Sequence, residues 1–501
     1  MSLQSFTQEN LSSVFLNPST NFKRVSQKKQ FTYLIEYLEE IGTQSFLVEN
    51  QYVSQDFLTD HKFYTQSFLH VDKYCKRIHF FTAPSSTDFR TILTKPTEEH
   101  QDFWNTYVGF VVIRPIPETL IGISLLKPKN EQNRVEYFGN REYTVHIFGH
   151  KLKFESLAFQ EQCKIVAACA TTAIWSMLHK ASHEYYKTTL KTPSEITKSA
   201  ALVSSDGRRI FPNKQGLTVL DVCHAIKKAG LDTELEIVSK DAISKSLPLS
   251  VVKSRIDAYS GLGLPIILVL DVPPYKVYQL HAIAVCGLEI DKEVEASPME
   301  QNGPCLLSNK IKHLYAHDDQ FGPFTQLECD GDYLFCLWSK YFEQKPAHVK
   351  SVVIPVFPAI TISYNDVYSV IKHIHSSLLP FIEKRKISSE WSIRLKYSED
   401  YKDIFLNSDA NDLLKQDTLQ EIFPKYIWVA TLFLEGNYSM DLIFDATSLH
   451  TSMYLRKVVY LDGSIGVSLV KSLAESIETL PDQLKNIPEY SYIETLILSA
   501  K

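Results

Sequence analysis

Apolar positions along this chain change period several times. KKQFTYLIEYLEEIG, near the N-terminus, spaces them as one face of a helix, while YCKRIHFF, YVGFVVIRPIP and REYTVHIFGH are short runs broken by Pro, Gly and charge that predict strands. In QEQCKIVAACATTAIWSML the side chains of Val166, Ala170, Ala173, Ile174, Met177 and Leu178 fall on one helical stripe, with Cys169 on the same side. A polar loop, GRRIFPNKQGLT, leads to a second helical pattern, VLDVCHAIKKAGL. SRIDAYSGLGLP then predicts a helix running into a buried strand, IILVLD, with GLG ending the helix. HAIAVCGLEID alternates as a strand beginning on His281, and KIKHLYAHDDQFGPF predicts a strand ending at Asp318 and Asp319 before a Gly-Pro turn. Further on, NDVYSVIKHIHSSLLPFIEK is helical, and YIWVATLFLEG and SMDLIFDAT are strands joined by a turn at Glu435-Gly436-Asn437-Tyr438. The alternation divides the chain into a mixed α/β accessory region, 1–150, a segment with helices first and strands later, 151–345, and a second α/β accessory region, 346–501. No repeat of solenoid length interrupts it.

Length and composition narrow the class. A chain of 501 residues exceeds one ordinary core, so two or three domains are expected. Hydrophobic residues at 44% against 22% charged describe a globular chain rather than a disordered one. The balance of 52 Lys and Arg to 58 Asp and Glu, a net −6, lacks the basic stripe of a nucleic-acid binder. The N-terminal MSLQSFTQENLSSVF is no secretory leader, and the longest apolar run, LPIILVLDV, is strand-sized. Together these predict a cytoplasmic protein with no membrane partner. Eight cysteines without regular spacing fit reduced thiols better than a disulfide framework.

Two of those cysteines, Cys163 and Cys169, sit just ahead of the helical run. A cysteine on an apolar helix face is ordinarily core, and Cys163 has nothing near it in sequence to suggest a base or a helix end. A thiol nucleophile needs a base within hydrogen-bond reach and a third group to orient that base, and its anion is favoured at a helix N-terminus. Cys169 at a helix start, His281 at a strand start and an acid at the end of the following strand supply those parts in order.

Competing chemistry is weaker. His313 and His317 lie four apart with Cys329 and Cys336 nearby, but no C-x-x-C pair exists and the histidines fall on a strand, so no zinc site is expected. Neither G-x-x-x-x-G-K-[ST] nor G-x-G-x-x-G occurs, which leaves no phosphate-loop cofactor. Arg114, after an apolar strand and before Pro115, reads as a structural ion pair at a strand end, with substrate-carboxylate binding as the alternative. Asp445 and Thr447 read as a strand-end hydrogen-bond network.

Residues 155–325 resemble a papain-fold cysteine peptidase, most nearly the bacterial branch that removes double-glycine leader peptides. The resemblance is carried by Gln162, Cys169-Ala170, Gly216-Leu217-Thr218, Gly263-Leu264-Pro265-Ile266-Ile267, His281-Ala282-Ile283-Ala284-Val285 and Asp318, in that order. It covers about a third of the chain. It implies an α+β chain whose central papain-like domain, a helical half plus an antiparallel sheet, is flanked by the two mixed α/β regions. In that domain Cys169 would be the nucleophile, His281 the general base, Asp318 the residue that fixes the imidazole tautomer, and Gln162 with the Cys169 N–H the oxyanion hole. The implied activity is hydrolysis of a peptide or amide bond through an acyl-enzyme, on a peptide or protein substrate or a co-encoded partner, without metal or cofactor.

Three departures accompany it. Ala170 stands where family members place Gly or Trp, Gln162 lies seven positions before Cys169 where six is commoner, and EVEASPMEQNGPC lengthens the interval from histidine to acid. Gln160 is a poorer substitute for Gln162. Asp319 is the alternative third member, since only one of two successive strand residues faces inward, and both acids could instead cap the turn at Phe321-Gly322-Pro323. An acyltransferase would use the same residues, and a catalytically silent papain-fold module that binds peptide or protein is the remaining alternative.

Overall fold

The computed structural model describes residues 2–16, 25–68, 71–117, 121–129, 134–201, 211, 216–238, 246–275, 280–291, 293–294, 303–449, 454–461, 468 and 492. Most of the GRRIFPNKQGLT loop and of the EVEASPMEQNGPC insertion lies outside these residues. The chain is mixed α+β with several antiparallel sheets. It forms two compact units: one from Met1–Ser246, Leu264–Leu288 and His313–Pro355, the other from Leu247–Gly263, Glu289–Lys312 and Val356–Lys501. Among the described residues no helix is long and apolar enough to cross a membrane.

In the first unit, strands Gln4–Ser5, Ser45–Tyr52, Cys75–Phe81, Tyr107–Ile113 and Ile121–Leu126 form a sheet in which every neighbouring pair is antiparallel. The helix Lys29–Glu40 lays Phe31, Leu34, Ile35 and Leu38 into a core shared with Phe46, Ile78, Phe80 and Val111 of this sheet and with Cys286 and Phe324. The period-3.6 pattern of KKQFTYLIEYLEEIG thus becomes one apolar face fitted between two layers. The hairpin Arg141–Ile147 and His150–Ser156 alternates buried and exposed residues, as a ribbon with one covered face must.

The larger sheet runs in the order Tyr333–Phe335, Gly322–Asp330, Ile311–Asp318, His281–Ile290, Ile266–Asp271, His348–Val356, Asp232–Ile237. Its central strands, IILVLD and the first eight residues of HAIAVCGLEI, are buried nearly without interruption, because both faces are covered. The helix Cys169–Glu184 is likewise buried nearly all round, from Ala170 to His179. This differs from the single stripe expected of it. Thr171, Thr172 and Ser176 are as buried as the apolar positions, and Val166 precedes the helix in a turn instead of continuing the stripe. Small polar side chains satisfy themselves locally here: Thr172 Oγ1 donates to the Cys169 carbonyl at 2.8 Å, and Thr171 pairs with Thr197 at 3.1 Å.

The second unit centres on an antiparallel sheet, Ser389–Tyr397, Tyr426–Leu434, Asn437–Asp445 and Leu455–Tyr460, with the helix Tyr364–Arg385. The turn between its middle strands is the pair Glu435-Gly436, both at positive φ (51° and 73°), the geometry that joins tightly twisted strands. Asp445 accepts from the Thr447 N–H and hydroxyl and pairs with Arg456 at 2.7 Å, closing the end of its strand as read from the sequence. The helix Leu249–Ser260 packs on Ser389–Tyr397 through Asp257, which takes two bonds from Arg394, and ends at Gly261. Gly261 has an ordinary φ, but a Cβ there would overlap the Leu395 carbonyl oxygen. Gly261→Ala should therefore destabilise the second unit by about 1–3 kcal/mol in chemical denaturation, by forced separation of helix and strand.

His179 gives a second expectation. Among the described residues neither ring nitrogen has a hydrogen-bond partner, the ring packs on Trp175 at 4.2 Å, and burial together with the nearby Arg141 charge pushes its pKa down to about 3. Unfolded, the same ring takes a proton near pH 6.5. The unfolded chain then binds more protons between these values, so stability falls as pH drops below 6.5. His179→Phe should remove about 2 kcal/mol of the stability lost between pH 7.5 and 5, read as the difference in pH slope between variant and parent.

Candidate active site

The turn that precedes the Cys169 helix is built before the thiol is placed. Lys164 adopts a left-handed φ of 58°, and its N–H bonds the Ala167 carbonyl at 2.8 Å. This tight loop takes up length in the seven-residue interval between Gln162 and Cys169. Cys163 is buried, as expected, and stitches the loop: its sulfur accepts from the Val166 N–H at 3.3 Å and from the Tyr64 hydroxyl at 3.6 Å. Thr197 donates to the Val166 carbonyl at 2.6 Å, and Trp175 donates to Asp56 at 2.8 Å, tying the helix to its neighbours on both sides of Cys169.

Cys169 is the first residue of its helix and is partly exposed. Ala168 occupies the N-cap position and offers no side-chain oxygen, so the N-cap residue itself leaves the first N–H groups of this 16-residue helix uncovered. An uncapped N-terminus carries partial positive charge toward whatever stands before it.

His281 opens its strand and Asp318 closes the neighbouring one, which brings the two side by side. Nε2 of His281 and Oδ1 of Asp318 are 2.8 Å apart, with both side chains buried. The Cys169 thiol is near enough to the ring to raise its basicity; with Nε2 facing Asp318, Nδ1 is the nitrogen left for the thiol. Burial alone would make the ring less basic. The Asp318 charge, the hydrogen bond to it, the Cys169 contact and the Asp319 charge outweigh burial and hold the imidazolium well above its usual range.

Of the two successive acids, Asp318 is therefore the one that reaches the histidine. Its Oδ1 also accepts the Gln320 N–H at 2.9 Å, so it closes the turn as well as facing the ring. Asp319 lies close by without bonding the ring: Gln320 donates to its Oδ2 at 3.3 Å, among the described residues Oδ1 has no partner, and burial, with the neighbouring Asp318 and Glu161 charges, pushes its pKa up to about 7 against the pull of His281.

Gln162 is buried just ahead of the tight loop, with a relative exposure of 9%. Gln160, two residues earlier, lines a separate small cavity with Asp56, Asp60, Tyr64 and Arg114, and among the described residues its Nε2 has no partner. Arg114 corrects an expectation. It is buried, but its Nη2 donates to the carbonyls of Ile121 and Glu161, both at 2.8 Å, and among the described residues no carboxylate stands within ion-pair distance. Three residues around Glu161 are thereby pinned: the Glu161 carboxylate accepts from Lys28 at 2.7 Å and from the Ile121 N–H at 3.2 Å.

Among the described residues, the one group of three His, Cys, Asp or Glu side chains with ligating atoms within 4.8 Å of one another is His281, Asp318 and Asp319. Its His281 nitrogen is already committed to Asp318. The histidine–cysteine grouping noted in the sequence is not a ligand set. His317 donates from Nε2 to the Leu157 carbonyl at 3.2 Å and accepts the Phe324 N–H on Nδ1, so both ring nitrogens are spent on backbone.

The ion pair makes a direct prediction. Followed by NMR, the His281 ring should keep its proton above pH 6.5 in the native protein. In Asp318→Asn burial dominates, and the ring should titrate at a pH lower by about one or more. An unchanged titration would show that Asp318 does not set the basicity of this ring.

Neither a family model nor a curated protein matches this sequence, so what the site does has to be read from its own geometry.

Proposed function

We propose that the chain is a papain-like cysteine hydrolase of peptide or amide bonds, nearest in design to the bacterial double-glycine leader peptidases. The observation that carries the reading is the meeting of Cys169, at an uncapped helix N-terminus, with a His281 ring held by Asp318 at 2.8 Å. These three side chains come from one helix and two neighbouring strands; Thr172 holds the Cys169 carbonyl, and the Gln320 N–H holds the Asp318 carboxylate that holds His281.

In the reaction, the Cys169 sulfur attacks the substrate carbonyl carbon, and His281 holds the thiol proton on Nδ1. The oxygen of the tetrahedral intermediate is received by the Cys169 N–H, which no capping side chain covers, and by the Gln162 amide. His281 gives its proton to the leaving amine as the C–N bond breaks, leaving a thioester. Water, deprotonated by the same ring, then attacks the thioester carbonyl and releases the carboxylic acid and the thiol. Asp318 accepts a hydrogen bond from Nε2 throughout, fixing the ring orientation and offsetting the imidazolium charge. Papain-like placement of residues 151–345 and a peptide or protein substrate, including a co-encoded one, belong to the same proposal.

Limited treatment with iodoacetamide followed by peptide mapping tests it. Cys169 should be modified ahead of the other seven cysteines, of which Cys75, Cys163, Cys286, Cys329 and Cys336 are buried. His281→Ala should abolish that preference while leaving the melting transition in place. Resistance of Cys169 to the reagent in the folded protein, or equal labelling in His281→Ala, would overturn the proposal. With an amide substrate in hand, added amine separates hydrolysis from acyl transfer by product analysis.

A further inference from the structure

The helix Lys29–Glu40 is nearly three hundred residues from Asp318 in sequence, yet three of its side chains hold the turn on which Asp318 sits. Gln30 donates from Nε2 to the Asp319 carbonyl at 3.4 Å, and the Tyr33 hydroxyl donates to the Pro323 carbonyl at 2.9 Å. Between these two anchors lies Gly322, where a Cβ would overlap the Tyr33 ring; only glycine lets the turn seat this closely.

Lys29 completes the grip. Its Nζ stands 3.9 Å from the centroid of Trp338, 4.4 Å from that of Tyr341 and 5.3 Å from that of Phe321. Phe321 belongs to the same turn, meets Trp338 edge-on at 5.3 Å and stacks on Tyr341 at 6.0 Å. Trp338 in turn lies edge-on to the His281 ring at 6.4 Å. A cation among ring faces is attracted by each quadrupole, and the attraction strengthens where water is excluded. The same ammonium also feels the Asp318 charge, which opposes the lowering of its pKa by burial.

We propose that Lys29 is a positioning residue. Caged by Phe321, Trp338 and Tyr341, it fixes the 318–323 turn, and through it the angle and dryness of the Asp318–His281 hydrogen bond. The inference rests on the cysteine-hydrolase reading for its purpose, though not for its geometry. The N-terminal helix is then a working part of the site, and the sheet it packs against supplies its stiffness.

The test uses the full chain with Lys29→Met, which keeps the length of the side chain without its charge, and Lys29→Arg, which keeps the cation. Two quantities are read from each folded protein: the downfield N–H proton resonance of the His281 ring, and the second-order rate of iodoacetamide modification at Cys169. Lys29→Met should lose the N–H resonance to solvent exchange and slow the modification about tenfold, with the melting temperature preserved. Lys29→Arg should retain both. If Lys29→Met fails to fold, Tyr341→Leu, at a half-exposed ring, removes one wall of the cage and should give the same losses. Persistence of the resonance in a folded Lys29→Met or Tyr341→Leu protein overturns the proposal, whatever the thiol does. Loss of the resonance in a protein whose Cys169 was never preferentially labelled would instead uphold the positioning role and sink the hydrolase reading.

Discussion

A buried imidazolium–carboxylate pair is costly, because two charges leave water and their attraction must replace hydration. Such a pair persists only where further hydrogen bonds occupy the remaining lone pairs and protons. His281 and Asp318 are arranged on those terms. The Gln320 N–H bonds the same carboxylate oxygen as the ring, and the neighbouring strands hold the two side chains in register. Much else in the first unit can be understood as keeping this pair dry and correctly angled.

The electrostatics around the pair are graded. Asp319 shares the surroundings of Asp318 but has no cation bonded to it, and burial with two neighbouring acids raises its pKa to about 7. Glu161, by contrast, is reached by Lys28 and a backbone N–H. Three carboxyl groups within one region therefore differ in what bonds them: a histidine, a lysine, or only a neighbouring amide. Charge crowding of this kind allows one acid to act as an anion while a neighbour is available to hold a hydrogen.

How much of this was legible depended on the range of the interaction. IILVLD declared a buried strand by its unbroken apolar character and Glu435-Gly436 declared a turn, because these signals are local, whereas HAIAVCGLEI, read as alternating, is a strand buried on both faces over its first eight residues. The order cysteine, histidine, acid was visible along the chain, and the structure brings those three side chains together. The choice between Asp318 and Asp319 was not visible, since it depends on which face of a strand end the last residue takes. Val166 was misplaced on the helix because a left-handed turn at Lys164 carries no apolar period, and the bonding of Arg114 to two carbonyls leaves no trace in composition. Nothing in KKQFTYLIEYLEEIG distinguishes Lys28, which reaches Glu161, from Lys29, which enters an aromatic cage. Such contacts span the chain and have no sequence period to announce them.

The placement of the site's parts along the chain sets a schedule for its birth. Cys169 leaves the ribosome roughly 150 residues before Asp318, an interval on the order of ten seconds at ordinary rates of synthesis. Until then the helix can form, but the carboxylate that bonds His281 is not yet made. For roughly a third of its synthesis the nascent chain thus carries Cys169 without the acid that pairs with His281, and the three meet only when the strand after His281 closes.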